Sequence, residues 1–322
     1  MKTTLQIAAP EDRFNVRAEA AKVTPADALD AAKCFFPGGA KKAALLPGGF
    51  SNANYRIETA PGAFVLRFFW NGQKTGEREI AVLKLCAQHG IRVPKVFDFH
   101  TDATRTVGLI EFAEGELFCD LLRKRPTGSD HIFAAVGRQL ARTHAVKFPA
   151  ARLFDSAAKI ANAFPSFPEE CLNHLLTPLA PGGRALARIG EKAAERFASF
   201  AKSHWDAVRY AYAGPCLAHC DFNPKNVIIG PSGDPIVIDW EFAMAADELV
   251  DVGNFFRFAA DDYPPGATST FVRGYEEEGG TLPPDWERVA ALVDLASMAA
   301  QLKSKRGVTM PMPPSSQWRQ PA

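Results

Sequence analysis

The amino-acid sequence lacks the features that would attach the chain to a membrane or mark it for export. No apolar run approaches the roughly 18 residues needed to cross a bilayer. The first residues, MKTTLQIAAPEDRFNV, lack the apolar segment of a secretory signal peptide. The six cysteines are scattered and do not show the paired spacing of metal sites. We therefore expect a cytoplasmic protein that has free thiols and no membrane partner.

The sequence also lacks an excess of charge of either sign. Its 37 Lys and Arg residues almost balance its 36 Asp and Glu residues, and the formal net charge is +1. This balance argues against nucleic acid as a partner, because proteins that bind nucleic acid usually carry a strongly basic surface. Hydrophobic residues make up 47% of the 322-residue chain, which is enough for a sizeable core. The length indicates two domains or lobes.

The first 113 residues predict a small lobe that contains a β-sheet and one internal helix. About twenty residues at the start have little pattern and are expected to form a loose arm. Two hairpins are predicted by β-branched and aromatic runs separated by turn residues, LLPGGFSNANYRIET–FVLRFFW and VPKVFDFH–TVGLIEF. Helices are predicted over residues 24–36, with Thr24 as the N-cap, and over residues 74–89, where Gly90 ends the helix.

Residues 114–322 predict a larger and mainly helical lobe, which follows the segment GLIEFAEG. Its helices are expected where apolar residues recur at helical spacing, at residues 131–146, 168–176, 183–212 and 286–305. The main strand-like segment is a hairpin whose strands, 227–229 and 235–238, are joined by PSGD. The sequence therefore predicts an α+β fold with an antiparallel sheet in the first lobe and mostly helices in the second.

The segment HCDFNPKNVIIGPSGDPIVIDWE, residues 219–241, concentrates polar residues around this hairpin. Asp221 and Asn226 precede the first strand, and the second strand is expected to return Asp239 to the same end. Two carboxylates and an amide oxygen are hard ligands suited to Mg²⁺, which leaves coordination positions for phosphate oxygens. The structural alternatives are that Asp221 merely forms a turn and that Asp239 merely ends a strand.

This pattern resembles the catalytic core of the protein-kinase-like fold, in which a His-x-Asp is followed by Asn and then by a metal-binding Asp. HCDFNPKNVII and VIDWEFA are more closely similar to the aminoglycoside phosphotransferase and choline kinase superfamily. That resemblance implies that Asp221 is catalytic and that Asn226 and Asp239 bind Mg²⁺. It also implies that His219 braces the catalytic loop, whereas Cys220 stands where the superfamily usually has Gly.

The resemblance covers residues 45–258 and implies a nucleotide-binding set in the first lobe. The set comprises a phosphate-binding loop, a strand cation with its helix partner, and two residues whose backbone binds adenine: Gly48, Gly49, Ser51, Asn52, Arg67, Glu79, Glu111 and Ala113. Arg67 stands where protein kinases have Lys, and strand alternation predicts that it shares a face with Val65 and Phe69. Asp251 is expected to cap the helix that begins at DVGN and to brace the catalytic loop.

The resemblance implies an enzyme that moves the γ-phosphoryl group of ATP or GTP to a hydroxyl of a small molecule, with Mg²⁺. Asp221 would orient the hydroxyl and accept its proton, and Arg67 with Mg²⁺ would balance phosphate charge. His144 is interpreted as a packing or loop-bracing residue. A protein kinase is disfavoured, because no long activation segment separates Asp239 from the DVGN helix. A nucleotide-binding pseudokinase stays open, since Cys220 and Arg67 depart from the usual residues.

The phosphate acceptor is less well defined by the sequence. Acidic side chains in the second lobe are candidate substrate-binding residues: Asp247, Glu248, Asp261 and Asp262. They favour a cationic acceptor, such as an aminoglycoside or an amino alcohol, and with it a role in antibiotic resistance. A neutral or acidic metabolite of the homoserine, sugar or thioribose type stays open, because a fold does not fix a substrate. The sequence does not decide between a monomer and a homodimer.

Overall fold

The computed structural model describes residues 23–47, 52–69, 72–124, 129–160 and 163–302. These residues form two compact units. The first unit extends to Glu116 and also takes in residues 154–159 and 228–241, and the second contains the remaining residues. This division differs from the boundary expected after residue 113, because the segment that carries Asp239 groups with the N-terminal part of the chain.

The first unit is built on a five-stranded antiparallel sheet. In chain order its strands are β1 Lys42–Leu45, β2 Asn52–Glu58, β3 Ala63–Phe69, β4 Val96–Thr101 and β5 Thr106–Glu111. They lie in the order β1-β2-β3-β5-β4 within the sheet. Both predicted hairpins are confirmed, because Glu58 pairs with Ala63 across one turn and Thr101 pairs with Thr106 across the other.

Strand β3 is buried along most of its length, which accounts for its nearly continuous apolar sequence. Leu66 and Phe68 belong to a core cluster that also contains Tyr55 and Ile57 of β2. Arg67 occupies the alternate position between them and therefore lies on the opposite face of the strand. The one charged residue of β3 is thus directed away from that apolar cluster.

Two helices belong to the first unit, α1 Pro25–Ala32 and α2 Gln73–Gln88. Thr24 caps α1 as predicted, because its hydroxyl accepts from the Asp27 amide at 3.2 Å and the Asp27 carboxylate accepts from the Thr24 amide at 2.8 Å. The prediction that α1 continues to residue 36 is wrong. Phe36 precedes a proline, and the residue before a proline is disfavoured in helical conformation.

The predicted hairpin in segment 219–241 consists of β9 Val227–Ile229 and β10 Pro235–Val237. Strand β9 pairs on its other side with a short strand, β6 Glu116–Leu117, so that the sheet has the order β10-β9-β6. The PSGD turn is closed by hydrogen bonds from the Gly230 amide to the Asp234 carbonyl, 3.0 Å, and from the Ser232 hydroxyl to the Asp234 carboxylate, 2.7 Å. Asp239 follows β10 by two residues.

The second unit is mainly helical. Its helices are α3 Phe118–Lys124, α4 Asp130–His144, α5 Phe167–Leu176, α6 Arg184–Ile189, α7 Glu191–Ala211, α8 Glu248–Phe256, α9 Ala259–Asp262, α10 Ala267–Glu277 and α11 Trp286–Leu302. A small sheet has the order β7-β11-β8, formed by β7 Arg152–Leu153, β8 Cys216–Ala218 and β11 Met244–Ala246. Strand β8 leads directly into the segment that begins at His219.

The prediction of a single helix over residues 183–212 is wrong. Gly190 has φ +82° and ψ +158°, a conformation that residues other than glycine rarely adopt, and it separates α6 from α7. The apolar spacing of the sequence continues across this residue, so the pattern alone did not indicate the break.

Helices α4 and α10 cross at very short range because each carries a glycine at the crossing. A Cβ atom on Gly137 would lie 2.2 Å from the Phe271 carbonyl oxygen, and one on Gly274 would lie 2.1 Å from the Ala134 carbonyl oxygen. Neither position can hold a side chain without moving a helix backbone. The crossing fixes His144, the last residue of α4, beside Tyr275 of α10.

The absence of membrane-spanning helices and the free state of the cysteines were both predicted from the sequence. None of the helices in this part of the chain combines the length and the hydrophobicity needed to span a bilayer. All six cysteines are free thiols, as expected.

Candidate active site

The segment that joins β8 to β9 surrounds Asp221 with hydrogen-bond donors. The Asn226 amide nitrogen donates to the carbonyl oxygen of Asp221 at 2.8 Å and to its Oδ2 at 2.9 Å. The Asn223 amide nitrogen donates to the same carbonyl at 2.8 Å and to Oδ1 at 3.0 Å. The Lys225 ammonium lies 3.3 Å from Oδ2. Both carboxylate oxygens of Asp221 are therefore held by neighbours within five residues.

A buried carboxylate fixes the start of this loop. Asp251 accepts hydrogen bonds from the backbone amides of His219 and Cys220, each at 2.7 Å. Two backbone amides that donate to one fully buried carboxylate hold the loop strongly, because hydrogen bonds to a carboxylate are about twice as strong as neutral ones. His219 is itself buried, and its Nδ1 accepts from the Asp221 amide at 3.2 Å.

The expectation that Asp251 caps the helix is wrong. Helix α8 begins one turn earlier than DVGN, and its N-cap is Asp247, whose carboxylate accepts from the Leu249 amide at 2.7 Å. Asp251 lies inside the helix, and its carboxylate is directed to the loop instead. It also lies 3.2 Å from the Nε2 of His144, whose Nδ1 lies 2.8 Å from the Tyr275 hydroxyl.

Cys220 adopts a backbone conformation that favours glycine. Its φ of +62° lies in the left-handed region, where a Cβ atom approaches the following carbonyl oxygen. The hydrogen bond from the Cys220 amide to Asp251 holds the residue in this conformation. The geometry gives a physical reason for the glycine that the resemblance implies at this position, and it shows that Cys220 maintains the loop at some cost in strain.

In the first unit, Arg67 is the centre of a buried ion-pair cluster. Its Nη2 lies 3.0 Å from the Glu79 carboxylate and 2.5 Å from Oδ1 of Asp239, and its Nη1 donates to the Asn54 amide oxygen at 3.3 Å. Glu79 is therefore the acid of α2 that contacts Arg67, as expected for the helix partner of the strand cation. The nearby Glu77 is half-buried and accepts from the Gln73 side chain at 2.7 Å.

Burial governs the electrostatics of this cluster. Removal from water raises the pKa of Glu79 to about 7, although the guanidinium of Arg67 acts to lower it. Burial also acts to lower the pKa of Arg67, but the carboxylates of Glu79 and Asp239 outweigh it and raise that pKa above its usual value. Arg67 therefore stays charged, and one guanidinium faces two carboxylates.

Six further residues are expected from the sequence to bind the nucleotide, and three of them are described: Asn52, Glu111 and Ala113. Gly48, Gly49 and Ser51 lie outside the described residues, between β1 and β2. Asn52 is buried, and its amide nitrogen donates to the Glu241 carboxylate at 3.0 Å. The side-chain donor of Asn52, expected to be available for phosphate, is thus taken by Glu241.

Glu111 and Ala113 lie at and after the end of β5. The Glu111 amide donates to the Lys95 carbonyl at 2.8 Å, so a backbone contact from Glu111 to adenine is limited to its carbonyl. The Glu111 side chain forms two hydrogen bonds with Arg92, at 2.7 and 2.8 Å. The side chain of Ala113 is buried, which is compatible with the expected adenine contact, because that contact uses only the backbone.

Two of the four acids expected to attract a substrate have other partners in the second unit. Asp247 is buried at the helix cap, and burial raises its pKa to about 7. Glu248 is also buried and pairs with Lys147 at 3.2 Å. Asp262 is exposed in α9, and the side chain of Asp261 lies outside the described residues. Asp247 and Glu248 are therefore occupied by contacts that stabilise the fold.

Several residues of these clusters were not predicted. Asn223 and Lys225 lie inside the segment HCDFNPKN. Their position within four residues of Asp221 could have identified them as neighbours of its carboxylate. Asn54 lies two residues after Asn52 on the same strand face, which was also available as a signal. Tyr275 had none, because it is 131 residues from His144 in the sequence.

Asn226 and Asp239, the residues expected to bind Mg²⁺, each present an oxygen atom, which is the ligand that this ion prefers. The Asn226 amide nitrogen is occupied by Asp221, which leaves its oxygen as the atom that a hard cation could bind. Asp239 has φ +66°, and its side chain remains 28% exposed although one oxygen contacts Arg67. No group of three or more His, Cys, Asp or Glu side chains suited to a metal is found among the described residues. The amide oxygen of Asn226 and the carboxylate of Asp239 are each the kind of ligand that Mg²⁺ takes when phosphate and water complete its coordination.

Comparison with known proteins agrees with this geometry. Residues 42–292 match the model of the phosphotransferase enzyme family. Acyl-CoA dehydrogenase family member 10 from Mus musculus is 26% identical over 246 residues, which cover 72% of this chain. The chain spans about a fifth of the length of this curated relative, 21%.

Solved structures show the same fold at low sequence identity. A thermostable mutant of aminoglycoside phosphotransferase APH(4)-Ia, solved with AMP-PNP and hygromycin B, is 17% identical and superposes with a TM-score of 0.64, covering 85% of this chain and 91% of its own. A protein assigned as fructosamine-3-kinase from Haemophilus somnus 129PT is 14% identical, with a TM-score of 0.59 and coverages of 85% and 88%. The expected α+β, protein-kinase-like fold is confirmed. Because the family model matches more than half of its length, this chain belongs to the phosphotransferase enzyme family.

Proposed function

We propose that this chain transfers the γ-phosphoryl group of ATP, or of GTP, to a hydroxyl group of a small molecule. The observation that carries the proposal is the loop around Asp221. Three side chains direct donors at its carboxylate, and Asp251 holds the backbone before it through two bonds of 2.7 Å. A carboxylate held in one orientation is suited to position a hydroxyl and to take its proton late in the reaction.

In this proposal each residue acts through its own contacts. Asp221 accepts a hydrogen bond from the acceptor hydroxyl and orients its lone pair along the line of attack. The oxygen–phosphorus bond to the acceptor forms as the bond to the nucleotide's bridging oxygen breaks, and the hydroxyl proton passes to the Asp221 carboxylate. Asp251 and His219 keep the loop in place and have no contact with substrate.

We propose that Asn226 and Asp239 bind Mg²⁺. The free amide oxygen of Asn226 and the partly exposed carboxylate of Asp239 support this assignment, and their use on a common ion rests on the sequence pattern. When bound, Mg²⁺ would neutralise charge on the nucleotide phosphates. Arg67, buttressed by Glu79, would act as the positioning cation of the nucleotide-binding unit.

The acceptor class is a separate part of the proposal. Cationic acceptors lose the support of Asp247 and Glu248, because both carboxylates are buried and have partners. Two similar solved structures suggest other acceptors. One contains hygromycin B, and the other is assigned as a fructosamine-3-kinase. The mouse relative is named as an acyl-CoA dehydrogenase family member, which adds hydroxylated acyl thioesters to the acceptors worth testing.

The experiment is a nucleotide-consumption screen with Mg²⁺, run with both ATP and GTP. The acceptors are aminoglycosides, amino alcohols, sugars and glycated amines, hydroxy amino acids and hydroxylated acyl thioesters. Asp221→Asn should retain nucleotide binding but lower turnover by at least about 100-fold, because the acceptor loses its base and its charge partner. Asp234→Asn, in the exposed PSGD turn, is the matched control and should match the parent.

Two results would contradict the proposal. Absence of acceptor-dependent turnover across the panel, together with absence of Mg²⁺-dependent nucleotide binding, would exclude phosphotransfer and leave no role for the loop as described. Turnover of Asp221→Asn at the parent's rate would keep the phosphotransferase but remove Asp221 as its base. An enzyme that binds nucleotide with Mg²⁺ but transfers to no acceptor would support the pseudokinase alternative.

A further inference from the structure

A lysine lies beside the carboxylate to which we assign the hydroxyl proton. The Lys225 ammonium is 3.3 Å from Oδ2 of Asp221, with side-chain exposures of 32% for the lysine and 20% for the aspartate. The backbone of Lys225 is fixed as well, because it lies in a 3₁₀ turn, Pro224–Asn226, and its amide donates to the Asn223 side chain at 3.2 Å. The lysine therefore starts from a defined backbone position with a partly exposed, mobile head group.

The carboxylate of Asp221 does not depend on this lysine for its orientation. Asn223 donates to Oδ1 and Asn226 donates to Oδ2, at 3.0 and 2.9 Å. Loss of the ammonium would leave both of these hydrogen bonds in place. The contact between the ammonium and Oδ2 can therefore be exchanged for a contact with another anion that arrives at the same point, while the aspartate keeps its position.

The charge of the first unit's cluster indicates why a second cation is needed. Arg67 faces the carboxylates of both Glu79 and Asp239, so its positive charge is matched by acids before any phosphate binds. A phosphoryl group in transfer carries negative charge on three equatorial oxygens, and catalysis depends on cations placed at those oxygens. Arg67 alone does not supply that excess of positive charge.

Resting on the function proposed above, we propose that Lys225 is a catalytic cation for the transferring phosphoryl group. Its ammonium moves from Oδ2 of Asp221 to an equatorial phosphoryl oxygen as the acceptor hydroxyl is attacked. The acceptor oxygen forms its bond to phosphorus while the bond to the bridging oxygen of the nucleotide breaks, and the electron pair of that bond stays on the diphosphate. The hydroxyl proton passes to Asp221, and Lys225 keeps its protons throughout.

The distances required are short. A hydroxyl hydrogen-bonded to Asp221 lies about 3 Å from the carboxylate, and the phosphorus that it attacks lies about 3 to 3.5 Å further on. A lysine side chain has four flexible carbon atoms, so a shift of a few ångström from its present contact is sufficient. The alternative is an ordinary ion pair between residues four apart, which contributes little to folding or to catalysis.

The test compares Lys225→Met, Lys225→Arg and a control, Lys33→Met, in steady-state assays with the acceptor found in the screen. Lys33 is an exposed lysine that pairs with Asp30 at 3.2 Å, so its variant also removes one charge from a short-range ion pair. Lys225→Met should lower kcat by about 10- to 100-fold with KM for the acceptor nearly unchanged, as when one transition-state donor is lost. Lys225→Arg should regain most of this loss, and Lys33→Met should match the parent.

A binding measurement gives a second readout that does not depend on turnover. Calorimetry with Mg²⁺ and ADP, with and without aluminium fluoride as a mimic of the phosphoryl group, should show that Lys225→Met weakens binding only when the fluoride is present. Equal affinity of parent and Lys225→Met for the fluoride complex, or kcat within twofold of the parent, overturns the role of Lys225.

The outcomes for the lysine and for the enzyme are distinguishable. Suppose that the parent turns over and Asp221→Asn does not. Parent-like activity of Lys225→Met then refutes the proposed role of Lys225 and retains the proposed phosphotransferase function. Where the parent neither turns over nor forms the fluoride complex, the proposed function is refuted, and the role of Lys225 with it.

Discussion

Replacement of Asp247 by Asn should stabilise the protein at alkaline pH. The Asp247 side chain is a buried N-cap of α8, and the residue is 4% exposed. Its carboxylate accepts from the Leu249 amide at 2.7 Å, but this single bond does not compensate for the loss of water, and burial raises its pKa to about 7. Asn caps helices as well as Asp does and is never ionised, so it retains the contact without the charge.

The magnitude follows from the difference in proton affinity between the folded and unfolded states. The unfolded side chain has a pKa of 3.8, so between about pH 4 and pH 7 the folded protein retains a proton that the unfolded chain has released. The folded protein is therefore most stable with respect to Asp247 below pH 3.8. This stability falls as the pH rises and is lost once the pH has passed the folded-state pKa of about 7. At about 1.4 kcal/mol for each pKa unit, the ionised side chain costs at most about 4 kcal/mol, and relaxation around it should reduce this to about 1 to 3 kcal/mol.

The assay is urea unfolding of the parent and Asp247→Asn at pH 5 and pH 8, followed by circular dichroism. The variant should gain about 1 to 3 kcal/mol at pH 8 and roughly a third to a half of that at pH 5, because pH 5 lies between the unfolded and the folded pKa. Asp130→Asn, an exposed acid in the first turn of α4, is the control and should show no such dependence on pH. An equal effect of Asp247→Asn at both pH values, or destabilisation at pH 8, would show that the buried charge is compensated and that the reasoning is wrong.

Three further outcomes are expected. Asp239→Ala should abolish Mg²⁺-dependent nucleotide binding, measured by calorimetry, while circular dichroism shows an intact fold; unchanged affinity would remove Asp239 from the metal site. Cys220→Gly should raise the free energy of unfolding by up to about 1 kcal/mol with turnover unchanged, because it relieves a left-handed Cβ, and lower stability would show that strain is absent. Arg67→Lys should retain part of the turnover and Arg67→Met should lose most of it, by steady-state kinetics, and equal activities would exclude a role for the charge.

The parts of the fold set by local chemistry were predicted from the sequence. The capping box at Thr24, both hairpins of the first sheet and the hairpin ending near Asp239 depend on residues close together in the chain. The helix predicted over residues 74–89 was also close to the observed α2, because its apolar stripe and its final glycine are both local signals. Secondary structure of this kind is determined within a few residues.

The parts set by distant contacts were predicted only in part. Asp251 was expected to cap its helix and to brace the catalytic loop. The cap is Asp247 instead, whereas the carboxylate of Asp251 does contact the backbone of His219, 32 residues away. Asn52 was expected to donate to phosphate, but Glu241, 189 residues later, takes that donor. A sequence motif gives the residue types that a site needs, and the competing partners of those residues are decided by tertiary packing.

Arg67 shows how a departure from a motif can be explained by its surroundings. Its guanidinium contacts Asn54 through Nη1 and two carboxylates through Nη2, so the three partners lie around one planar group. A lysine ammonium is a compact charge on a flexible stem and could not hold partners on both sides of the group in the same way. The interactions with Asn54 and with the acids therefore favour arginine at this position.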